Sequence, residues 1–97
     1  MLSRVTTIQT NPDKFDELTR LVQELEPYIT AVKQSTGFHG LLLLGDRTTG
    51  KTVMVSQWET EADMLASNSL REEGLAKMAP LATGAPSTDV FEVLVRA

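Results

Sequence analysis

Few side chains in this sequence are equipped for chemistry. Cysteine is absent, which excludes thiol nucleophiles, disulfides and thiolate metal sites. His39 is the single histidine, the residue type that accepts or donates a proton near neutral pH. A lone histidine and dispersed carboxylates give no ligand cluster for a divalent metal, and we expect none. Trp58 offers an aromatic plane and one N–H donor. Asn68 stands at helical spacing from Met64 and about two turns before Leu75, so its amide can face inward with donors and an acceptor. Tyr28, Ser56 and Met64 are weaker candidates for lining a binding pocket. Each has a plain packing reading beside it. Trp58 closes a strand before a helix cap, His39 shares a strand face with Leu41 and Leu43, and Asn68 is equally suited to solvent. Met54, Met64 and Met78 suit core filling.

One motif matches by letter and fails by context. Gly45 to Thr52, GDRTTGKT, fits the phosphate-binding pattern G-x-x-x-x-G-K-[ST]. That pattern needs a helix after the loop, because the helix N-terminus holds the phosphates. Here the residues that follow, Thr52 to Ser56, are β-branched and alternating, so the loop is a hairpin.

The elements that must position these side chains are organised around Gly37 to Trp58. The first strand of this ribbon, Phe38 to Gly45, carries the leucine run Leu41 to Leu44, and the second, Thr52 to Trp58, carries Val53, Met54 and Val55. Side chains alternate faces along a strand, so an unbroken apolar run is apolar on both faces. The helices of so short a chain cover one face. The other needs a second subunit or a ligand. Before the ribbon, Leu2 to Gln9 reads as a strand and Asn11-Pro12-Asp13 as a helix start. Phe15, Leu18, Val22, Leu25, Ile29 and Val32 mark one apolar helix face, with a kink or break expected near Glu26 because of Pro27. Gly37 suits a left-handed cap. After the ribbon, Thr60 and Asp63 resemble a capping box opening a second helix. Its inward candidates are Met64, Leu65, Asn68, Leu75 and Met78, and Gly74 is expected to bend or fray it. Pro80 to Ser87 reads as a loop and Val90 to Val95 as a last strand. The order β-α-β-β-α-β is the ferredoxin-like α+β pattern, a four-stranded antiparallel sheet with both helices on one face.

Size and charge narrow the partners. The 97 residues suit one domain spanning 1–97. The net charge is −4, with 13 acidic and 9 basic residues, and no basic patch stands out, so neither nucleic acid nor anionic lipid is an expected partner. The N-terminal stretch has no apolar signal core, and no run is long enough to span a membrane. The sequence reads as a soluble, cytoplasmic protein.

A family resemblance rests on specific residues. Gly37-Phe38-His39-Gly40, an apolar strand, the turn Asp46 to Gly50, a second strand ending in Trp58-Glu59-Thr60-Glu61, and Met64-Leu65-Ala66-Ser67 together resemble the antibiotic biosynthesis monooxygenase (ABM) group. Thr60 stands where serine is commoner in that group, and still caps. The resemblance covers most of the chain and implies a dimeric α+β barrel, a homodimer with a pocket in each subunit between sheet and helices. It implies a cofactor-independent monooxygenase acting on a small aromatic or polycyclic substrate. Such an enzyme binds an acidic substrate, stabilises its anion in an apolar slot and lets the anion react with oxygen. Trp58, Asn68 and His39 are the candidate catalytic residues, with Tyr28, Ser56 and Met64 binding substrate. No cofactor is expected. A haem-degrading branch of the same group uses an asparagine on the first strand, and a tryptophan and an axial histidine on the second helix. The matching helix positions here fall near Ser67 and Lys77, and no histidine follows His39. A non-catalytic dimer binding a hydrophobic metabolite is the alternative, favoured by the lack of an acid–base pair.

Overall fold

β1 (Leu2–Gln9) and β3 (Lys51–Trp58) form the centre of the molecule, paired antiparallel from Leu2 opposite Trp58 to Gln9 opposite Lys51. The computed structural model describes residues 1–97. β2 (Phe38–Gly45) lies on the far side of β3 and β4 (Ser87–Glu92) on the far side of β1, giving the strand order β2-β3-β1-β4. All three pairings are antiparallel. The ferredoxin-like α+β sheet is as the sequence pattern requires.

Alternation assigns the faces. Arg4, Thr6 and Ile8 of β1 are buried on the same side as Met54, Ser56 and Trp58 of β3. The helices cover that side. α1 (Phe15–Glu24) and α2 (Glu26–Lys33) break at Leu25, next to the expected position, and Pro27 sits in the first turn of α2, where its missing N–H has no role. Leu18, Leu25 and Val32 are buried. Gly37 turns the chain from α2 into β2 at φ 75° and Gly50 turns the ribbon at φ 78°, both in the left-handed region that glycine tolerates. The phosphate-loop look-alike is thus a β-hairpin turn.

The second helical segment divides at Ser67 into α3 (Glu61–Ala66) and α4 (Asn68–Met78). The Thr60 hydroxyl accepts from the Asp63 N–H at 3.1 Å, the expected cap. Gly74 neither bends nor frays α4. It lies buried in mid-helix because the Tyr28 ring presses on it: a Cβ there would stand 2.9 Å from Tyr28 Cζ. Leu65, expected inward, is 51% exposed; Met64 takes the inward place and the break at Ser67 resets the helical phase. β4 begins three residues earlier than the alternation suggested and ends at Glu92, while Leu94 and Val95 are each 85% exposed.

The opposite face of the sheet has no cover within the chain. Leu42 and Leu44 are 59% and 50% exposed, and Phe91 is 55% exposed on the same side as the half-buried Val5, Val53 and Val55.

Candidate functional site

The buried stripe of β1 is unusual for carrying a charge. Arg4 is 6% exposed, one step along the inward face from Thr6 and two from Ile8. Its guanidinium fills the break between α3 and α4. Nη1 donates to Asn68 Oδ1 at 2.6 Å and to the Met64 carbonyl at 3.5 Å, and Nη2 donates to Ser67 Oγ at 3.0 Å. The Ser67 hydroxyl in turn donates to the Met64 carbonyl at 2.6 Å. The carbonyl freed by the helix break is therefore satisfied. Because Asn68 spends its oxygen on Arg4, its NH₂ is free to donate outward.

A second guanidinium lies beside the first. Arg71, one turn along α4 from Asn68, donates through Nη2 to Thr6 Oγ1 at 3.3 Å and to Thr88 Oγ1. Burial, reinforced by the charge of Arg71, lowers the Arg4 pKa. Tyr28 faces both. Burial raises its pKa, and the two arginines pull it back partway. The side-chain ion pairs of the chain involve other residues, His39 with Glu59 and Arg47 with Asp16, so neither Arg4 nor Arg71 meets a carboxylate.

Two hollows flank this cluster. One lies under the helices, lined by Arg4, Tyr28, Leu41, Ser56, Trp58 and Ser67 among others, and has about 10 Å³, room for a single water. The other is an open trough of about 510 Å³ on the β4 side of α4. Ile8 forms its floor, Glu72, Leu75, Ala76 and Ala79 its helical wall, and Ala82, Gly84 and Pro86 its rim. The rim is tied down by a bridge between Thr10 and Ala82 and by the Thr83 N–H donating to the Gln9 carbonyl at 2.8 Å. Along the inward faces of β1 and β4, Thr6 and Thr88 follow directly on Ile8 and Pro86. Arg71 therefore bonds the positions next along the two strands from the trough, and does not itself line it.

The sequence candidates fall into three groups. Trp58, Ser56 and Tyr28 line the small hollow with Arg4. Trp58 is 1% exposed, donates its indole N–H to Ser56 Oγ at 2.9 Å and packs edge-on against Phe38 at 5.6 Å. Met64 is buried in the same cluster. Asn68 is exposed and joined to Arg4. His39 stands apart. A bulge sets Phe38 opposite Trp58 and Gly40 opposite Gln57, so His39 is the extra residue, and its ring bonds Glu59 at the surface. The expected sharing of a face with Leu41 and Leu43 is broken by that bulge. Arg4 and Arg71 were not singled out from sequence. The available signal was parity: Arg4 alternates with Thr6 and Ile8, and Arg71 is spaced three and four from Asn68 and Leu75.

Comparison with known proteins adds the family. Residues 1–73 match the antibiotic biosynthesis monooxygenase family. The chain belongs to that family. No curated protein matches it. Among solved structures it is similar to Rv0793 from Mycobacterium tuberculosis, at 17% identity and TM-score 0.75, covering 99% of this chain and 97% of the other. An antibiotic biosynthesis monooxygenase superposes at TM-score 0.76 and 13% identity, covering 98% of this chain and 100% of the other. A variant of MhuD, solved with two manganese protoporphyrin IX molecules per active site, superposes at TM-score 0.76 and 24% identity, covering 100% of this chain and 98% of the other. At these identities the structures establish a shared ABM fold.

Proposed function

We propose that this ABM-family chain is a cofactor-independent monooxygenase, working as a homodimer, that oxidises a small aromatic or polycyclic molecule bound in the trough. The observation that carries this reading is a largely apolar trough of about 510 Å³, with the Arg71 guanidinium, without a carboxylate partner, on Thr6 and Thr88, the positions next along the strands from its lining residues Ile8 and Pro86. An aromatic ring fits between Ile8 and Leu75, and its ionised oxygen meets Arg71. The Asn68 amide supplies a second donor. A cation fixed in a partly dry site stabilises the anion better than water does, because it needs no reorganisation.

The chemistry then belongs to substrate and oxygen. A ring methylene activated by a carbonyl loses a proton to solvent to give the anion, and solvent returns one to the peroxide oxygen after O₂ has added. The anionic carbon adds O₂, forming a C–O bond and a hydroperoxide. The O–O bond breaks, one oxygen leaves as water and the other stays as a new carbonyl. CH₂ and O₂ become C=O and H₂O, with no external reductant. Trp58, Ser56, Met64 and Tyr28 hold Arg4 and Asn68 in place from behind. His39, on the bulge, takes no part.

Oxygen uptake with a model anthrone tests the reading. We expect turnover above the uncatalysed rate, and Arg71→Gln to lower kcat/KM by about 10²-fold, as losing one oxyanion donor does elsewhere, with the Tm kept. Uptake equal to the protein-free blank, with the anthrone still raising the Tm, would instead identify a hydrophobic-metabolite-binding dimer. The trough wall has Ala76, Ala79 and Leu75 but no histidine, so a haem iron would find no imidazole there. A histidine-type Soret spectrum on haem titration would contradict that.

A further inference from the structure

We infer that Glu72 is the base that takes the ring proton of the substrate and passes it to solvent. This rests on the trough being the substrate site. Glu72 is the single ionisable side chain among the residues that line the trough. It stands on α4 one turn before Leu75 and Ala76, on the wall against which the ring lies. Its carboxylate has no ion-pair partner, because the pairs of the chain are His39 with Glu59 and Arg47 with Asp16. Glu72 is exposed, so it borders both the trough and bulk water. The other groups suited to moving a proton lie elsewhere. His39 bonds Glu59 at the bulge, and Tyr28 lines the small hollow and presses on Gly74.

Oxygen adds only to the anion, and the anion forms only when a C–H proton leaves. Water is a weak base, and the wall of Leu75, Ala76 and Ala79 keeps it from one side of the ring. A carboxylate positioned at the methylene speeds such a proton transfer by about 10²- to 10⁴-fold. In this step the C–H bond breaks and its electron pair delocalises through the ring to the carbonyl oxygen. The proton forms an O–H bond with the Glu72 carboxylate. Negative charge thus passes from Glu72 to the ring oxygen, which Arg71 stabilises, and no second anion is created beside the first. The exposure of Glu72 completes the cycle, since the carboxylic acid then gives its proton to water and is a base again for the next turnover. A glutamate sealed from water would be held protonated by desolvation and could not accept.

Steady-state oxygen uptake by the intact protein with the model anthrone tests this, with the affinity for anthrone measured separately under argon. We expect Glu72→Gln to lower kcat by about 10²-fold while anthrone affinity and Tm stay as in the wild type. Glu72→Asp should keep part of the rate. Acetate added to Glu72→Ala should restore turnover in proportion to its concentration, once the protein-free blank is subtracted, and should leave the wild type unchanged. A free carboxylate can replace a base but not a packing contact. Equal kcat in Glu72→Gln and wild type overturns the inference and leaves the trough reading intact. A loss confined to KM, or a Glu72→Ala rate that acetate does not raise, overturns it as well. A wild type that takes up oxygen no faster than the blank removes the monooxygenase reading and the inference together.

Discussion

Arg4 and Tyr28 bring polar groups into the interior from opposite walls, and each alters the other. Tyr28 is the only tyrosine of the chain, so the phenolate absorbance of the folded protein reports this hydroxyl alone. Its raised pKa means that the folded chain holds the phenolic proton more tightly than the unfolded chain. The contribution to stability is therefore complete below the ordinary tyrosine value of 10.0 and is lost as pH rises from there through the folded pKa. We expect the absorbance midpoint of the native protein to exceed that of the urea-unfolded protein, and Tyr28→Phe to remove the alkaline loss of stability. A native midpoint at or below the unfolded one would show that the arginines outweigh burial. This pairing was only half legible in the sequence. Tyr28 was visible as a pocket candidate on an apolar helix face. Arg4 was hidden by its type, since a charged residue in a strand is expected to face water, and only its parity with Thr6 and Ile8 told otherwise.

The elements hold these groups through two interruptions. Proline at position 27 announces the first in the sequence. The second, at Ser67, is unannounced, because a serine breaks a helix only where a partner such as Arg4 takes up the freed carbonyl of Met64. Gly74 drew attention away from it as the weak point, although its lack of a Cβ serves the approach of the Tyr28 ring. The six-residue α3 is too short to persist without its cap. Thr60→Ala should thus reduce stability by about 1 kcal/mol, seen in the urea midpoint, and should increase hydrogen exchange through α3 more than through α4. Equal protection of α3 in variant and wild type would mean that the packing of Met64 on Trp58, rather than the cap, holds the segment. The four strands and the hairpin were readable because alternation, β-branching and turn glycines agree there. The last strand was displaced in the reading because Ser87-Thr88-Asp89 looks like loop until β1 is seen pairing with it.

For the whole molecule, the sheet's bare face is the main physical demand. Leu42, Leu44 and Phe91 project from it beside a floor of valines, a continuous apolar surface of the kind that marks an interface. We propose that a second copy covers it. Sedimentation at micromolar concentration should give a dimer, and Leu42→Asp combined with Leu44→Asp a monomer; a wild-type monomer would contradict this. The sequence foretold that demand through Leu41 to Leu44. It also led to the expectation of a pocket between sheet and helices, where the structure has only about 10 Å³ beside Trp58. The tryptophan that marked the pocket fills the space under the helices, and the largely apolar trough lies on the β4 side of α4, a matter of packing that no motif encodes. The most direct measurement of the account is a crystal structure of the protein with the model anthrone, grown without oxygen. We expect the ring between Ile8 and Leu75 with its oxygen on Arg71. A ring seated instead on the bare face of the sheet, or under the helices against Trp58, would contradict it.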